Sequence, residues 1–305
     1  MSAVSSNSKG VLNRPFLNGW TLFTLLAAVM SAAMIREAWS TGLVGPAEVS
    51  HMIGYSVRWS IPFIFLVAAS SALQTLFPSR ISLWLLRNRK YLGLSFAVAM
   101  AWQGLFIAII STIHSDYYYD EIFYFRDELE GSTGYLFLTA MVITSFRFGR
   151  QLLSQRQWKF LHRTGMYFLW AYPFSTYWWS ISYYPNPQIH DYIFYLLGFL
   201  AVALRIAAWG KKRRRAAEKN GLATPLVARV LGIGFVAAGL AAAVVGLRWQ
   251  EFTTELLTSA QWSATLELWL PFWPFEPFLP LFAIGIGAML MTTTPTASDA
   301  RVSAT

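Results

Sequence analysis

Histidines and charges inside apolar sequence are scarce in this chain, so the few that occur bound its chemistry. His162, in Trp158-Lys159-Phe160-Leu161-His162-Arg163, opens an aromatic, apolar stretch that runs to about Tyr183. A neutral imidazole there is a strong axial ligand for iron. It is equally suited to a structural role, hydrogen-bonded among Lys159, Arg163 and lipid headgroups. Met100, Met141 and Met166 are the thioethers nearest in kind to a second ligand. His51, His114 and His190 fall at the opposite ends of apolar runs. With Asp116 or Asp120 they offer donors for an outer metal ion, but not at the spacing of a metal motif. Arg58 lies within an apolar run, where a charge is costly and marks a site for an anion, a lipid headgroup or an acid. There is no cysteine, which excludes disulfides, thiolate metal sites and cysteine-held iron–sulfur clusters.

The elements that must position these residues are membrane helices. Of 305 residues 55% are hydrophobic and 13% charged, and the mean hydropathy is +0.42. A soluble domain carries about a quarter charged residues. The apolar residues fall in blocks of about 18 to 25, the length that crosses hydrocarbon as a helix. No block alternates with period two, which argues against a barrel. The fold class read from this is all-α, a polytopic bundle of about eight transmembrane helices near 17–35, 53–77, 91–113, 132–148, 160–182, 191–209, 225–247 and 275–293. The net charge of +9 is concentrated in three loops. These follow spans two, four and six and lie on one side by parity. The positive-inside rule makes that side cytoplasmic, together with both termini, and explains the charge better than nucleic-acid binding. The expected location is a bacterial-type inner membrane, with the acidic 114–130 loop outside. The first span reads as an uncleaved anchor rather than a signal peptide.

Residues 1–210 read as a six-helix core, 211–224 as a basic cytoplasmic loop, 225–293 as two additional helices and 294–305 as a polar tail. Gly232, Gly234, Gly239 and Gly246 in span seven allow close helix packing, either within this bundle or against a second chain. Residues 248–270 read as an amphipathic surface helix. Pro271, Pro274, Pro277 and Pro280 recur at every third position, which opposes helix and suits an extended lead-in to the last span.

Several segments carry a resemblance. Gly54-Tyr55-Ser56-Val57-Arg58, Arg89-Lys90-Tyr91-Leu92-Gly93-Leu94, Ile143-Thr144-Ser145 and, most clearly, Trp158 to Arg163 followed by Tyr167 resemble the ferric-reductase-like transmembrane family over about residues 50 to 210. Within it they are most similar to the haem-binding membrane subunits of periplasmic methionine sulfoxide reductase systems. That resemblance implies a core holding two b-type haems between histidines on its third and fifth spans. Here the third-span position is Gln103. The second fifth-span position, thirteen residues after His162, is Ser175. An amide and a hydroxyl are poor iron ligands, so an outer haem is not expected, and His162 is left as the metal ligand of at most one haem. Arg58 matches an arginine that could pair with a propionate. Two functions follow. One is a transmembrane electron-transfer subunit taking electrons from quinone or a cytoplasmic flavoprotein. The other is a haem-less scaffold binding a lipid, a quinone-like molecule or a partner membrane subunit. A transporter lacks support, because buried mid-span charges and inverted repeats are not evident.

Overall fold

The computed structural model describes residues 11–245 and 276–293. The expected surface helix 248–270, Pro271, Pro274 and the polar tail lie outside them. Every regular element among the described residues is helical. The long ones are α1 (Gly19–Thr41), α2 (Pro46–Leu76), α3 (Arg80–Ile113), α4 (Phe125–Ile143), α5 (Gln155–Tyr183), α6 (Ile189–Lys219), α7 (Leu226–Val245) and α8 (Leu279–Leu290). Five of them, α1, α2, α3, α6 and α7, are long and apolar enough to cross a membrane.

The other three expected spans are helical but differ in ways the sequence explains. The first six residues of α4 include Arg126, Asp127, Glu128 and Glu130, so its apolar part is short. Trp, Tyr and Ser in α5 lower its hydropathy. The last expected span, 275–293, reduces to the twelve residues of α8, about 18 Å of helix against about 30 Å of hydrocarbon. Pro280 near its first turn is tolerated because the N–H groups there are unpaired in any helix.

Two of the basic loops are largely helix. The break between α2 and α3 is only Phe77–Ser79, and Arg80, Arg87, Arg89 and Lys90 occupy the first three turns of α3. Pro78 ends α2. Ser79 caps α3, its hydroxyl accepting from Ser82 N–H at 3.1 Å while Ser82 Oγ accepts from Ser79 N–H at 2.9 Å. The thirty-four residues of α3 span about 51 Å, so the basic turns extend past the hydrocarbon. Likewise α6 carries the 211–219 basic run as helix. It closes at Gly221, whose φ of +67° is open to glycine, with Leu222 N–H returning to Ala217 O at 3.0 Å.

The chain divides into two compact units, 1–70 with 78–169, and 71–77 with 170–305. In the first, α1 runs beside α3. A polar clasp fixes its start. Asn88, 2% exposed, accepts Gly19 N–H at 3.0 Å and donates to Asn18 Oδ1 and Trp84 O, both at 3.1 Å. Trp84 Nε1 donates to Leu17 O at 2.7 Å. At the other end Met34, Val49, Met52, Phe106 and Ile110 form a buried cluster. The turn after α3 drops Tyr118 into it, and that hydroxyl donates to Glu128 in the first turn of α4.

In the second unit α7 and α8 pack backbone to backbone. A Cβ on Gly239 would sit 2.6 Å from Pro280 O, and one on Gly287 would sit 2.6 Å from Gly232 O. Three of the small residues there thus serve this chain's own packing. Lys211 Nζ donates to Thr75 O at 3.0 Å and Leu76 O at 3.3 Å, placing a cation on the C-terminal carbonyls of α2. That tie explains why the end of α2 belongs with the second unit.

Candidate functional site

The one histidine in the Trp158–Arg163 motif sits in a built cluster. Thr144 lies just past the last turn of α4, and His162 two turns into α5. Thr144 Oγ1 is 3.0 Å from His162 Nε2 and 2.7 Å from Ala140 O. A hydroxyl has one proton, and here it goes to the carbonyl one turn back. His162 therefore donates its Nε2–H to Thr144, which leaves the lone pair on Nδ1, beside the backbone. Trp158, one turn before His162, packs its ring at 4.2 Å and donates its indole N–H to Thr144 O at 3.1 Å. The Arg150 guanidinium lies 5.3 Å above that indole and donates to Leu153 O at 2.7 Å. The charges of Arg89 and Arg150 both act on His162. The result is a latch that closes the 144–154 connection on the start of α5.

Iron ligation needs the reverse of this arrangement. The outer imidazole nitrogen must present a lone pair, and a second donor must face it across the porphyrin. Here that nitrogen carries its proton and points at a hydroxyl. Met141 closes on Gly165, one turn along α5, so tightly that a Cβ there would overlap its sulfur, and Met166 lies buried on α5 itself. Met100 contributes its carbonyl to another bond. The residues around His162 do not fit a haem.

Gln103 is half-buried on α3 and turned to α4. The Tyr135 hydroxyl donates to Gln103 Oε1 at 3.1 Å and to Met100 O at 3.0 Å. A Cβ on Gly104 would lie 3.4 Å from that same hydroxyl, so α3 and α4 are in close contact there. Ser175 belongs to the second unit, and its hydroxyl donates to Tyr172 O on its own helix at 2.9 Å. Each is thus satisfied within its own unit. Arg58 folds back along α2, its guanidinium 6.0 Å from the Tyr55 ring, and makes no ion pair among the described residues.

The remaining histidines are dispersed. His51 Nε2 lies 3.0 Å from Glu37 Oε1 and stacks on Tyr55. His114 ends α3, its N–H donating to Ile110 O. His190 pairs with Asp191 at 3.4 Å. Among the described residues no group of three or more His, Asp or Glu could hold a metal ion.

Sequence reasoning passed over Thr144, Arg150 and Tyr135 as partners. Only the i, i+4 spacing of Trp158 and His162 hinted at the latch. Comparison with family models, with curated proteins and with solved structures returned no match. The class supported so far is an all-α bundle with five helices long and apolar enough for multi-pass insertion.

Proposed function

We propose that this chain is a haem-less multi-pass membrane scaffold on a ferric-reductase-like plan, a subunit that binds lipid, a quinone-like molecule or a partner membrane protein instead of conducting electrons through iron. The observation that carries the reading is the commitment of His162 Nε2–H to Thr144, with Trp158 packed on the ring. Gln103, bonded to Tyr135, supports it at the position where the resembled family places an outer ligand. An inner-membrane location with the basic ends of α3 and α6 in the cytoplasm follows from the positive-inside rule.

The test is a reduced-minus-oxidised absorbance spectrum of protein purified in detergent from haem-replete cells. No stoichiometric b-type Soret band is expected. A stoichiometric band that disappears in His162→Ala overturns the proposal in favour of electron transfer through one haem.

A further inference from the structure

Three stretches of the first unit meet at one end. Lys90 Nζ lies 5.4 Å from the ring centroids of both Trp20 and Phe146, and those rings stack 6.0 Å apart. This joins the start of α1, the first turns of α3 and the α4–α5 connection. The action of Arg89 and Arg150 on His162 adds the start of α5. Residues 11–24, 78–95 and 144–164 hold one, four and five basic residues respectively, and no Asp or Glu. The cationic charge of this end is therefore uncompensated within the stretches that build it.

The same end exposes apolar side chains. Phe148 is 64% exposed, Leu152 78% and Phe160 71%. Trp20 and Tyr91 stand where α1 and α3 pass from polar to apolar sequence, the usual level of an aromatic belt. Cations beside exposed phenyl rings suit neither bulk water nor hydrocarbon. They suit the headgroup layer, where phosphate meets the cations and the rings reach the acyl boundary. A soluble polyanion would neutralise the charge and leave the rings in water.

We propose that this end of the first unit is a binding site for the phosphate headgroups of anionic phospholipids, held by Lys90, Arg147 and their basic neighbours, with Phe148, Leu152 and Phe160 seated in the acyl boundary. The site rests on the membrane reading but not on the absence of haem, so its failure is distinguishable from that of the proposed function.

The experiment uses the full chain in neutral detergent, titrated with short-chain phosphatidylglycerol, with phosphatidylcholine and with inorganic phosphate, and bound lipid is counted by native mass spectrometry. Phosphatidylglycerol is expected to bind, phosphatidylcholine not, and rising salt to weaken the binding. Lys90→Gln with Arg147→Gln, both at exposed positions, should lower affinity about thirtyfold, each charge near an anionic surface contributing about fivefold. Equal binding of the two lipids, competition by inorganic phosphate at the lipid's own concentration, or a folded double variant that binds as the wild type overturns the proposal. Should the double variant not fold, the wild-type salt titration decides: a preference for phosphatidylglycerol that does not weaken with salt overturns it.

Discussion

Thr144 Oγ1 accepts the Nε2 proton of His162 at 3.0 Å and hands its own proton to Ala140 O at 2.7 Å. Each donor in that chain has one acceptor, so removing the middle member strands the imidazole. Thr144→Val keeps the shape and deletes the oxygen. The expected cost is about 1–3 kcal/mol, the penalty of an unsatisfied, partly buried donor. Thr144→Ser should restore most of it. Unfolding in detergent measures both, and a Thr144→Val protein as stable as the wild type would refute the donor assignment.

Asn88 ties the start of α1 to α3. Asn88→Ala removes one accepted and two donated hydrogen bonds at a side chain that is 2% exposed. A loss of about 2–3 kcal/mol is expected, mostly from the orphaned Gly19 N–H and Asn18 amide. Arg87→Ala, which deletes an exposed 3.3 Å bond to Asn13, should change stability by less than about 0.5 kcal/mol.

The glycines of α7 are not equivalent. A Cβ at Gly239 meets the Pro280 carbonyl, whereas one at Gly234 meets nothing within 4 Å. Gly239→Ala should destabilise the α7–α8 pair by about 1–3 kcal/mol through backbone overlap. Gly234→Ala should be neutral or stabilise by up to about 1 kcal/mol, the helix-propensity difference. Paired melting curves test the contrast, and the opposite order would show that α7 and α8 do not pack this way.

Tyr118 links pH to the turn between α3 and α4. Burial, then its bond to the Glu128 carboxylate, raises the phenol above its usual value of about 10. An acid raised by folding keeps its full stabilising contribution below the unfolded value and loses it as pH climbs past about 10 towards the folded value. Stability measured between neutral and strongly alkaline pH should therefore fall more steeply for wild type than for Tyr118→Phe. Identical slopes would show that the phenol carries no such linkage.

Much of the helix plan was legible in the amino-acid order. Apolar block length placed α1, α2, α3, α6 and α7, because crossing hydrocarbon demands a fixed rise of unbroken helix. Basic and acidic residues were located correctly, but their local form was not. The 80–90 and 211–219 runs continue α3 and α6 as helix, since Arg and Lys are good helix formers and nothing between them and the apolar residues breaks the hydrogen-bond ladder. The thirteen-residue step from His162 to Ser175 follows from the sequence, because position along a continuous helix is a matter of counting.

Partnership did not follow from counting. That His162 turns to Thr144, Gln103 to Tyr135 and Lys211 to the end of α2 depends on helix rotation and the path of connections. Hydropathy is blind to both, because one apolar face looks much like another. The order of residues determined which segments enter hydrocarbon and what chemistry each carries. Only the packed chain decided which lone pairs and protons remain available, since a hydrogen bond forms where two helices bring donor and acceptor within about 3 Å.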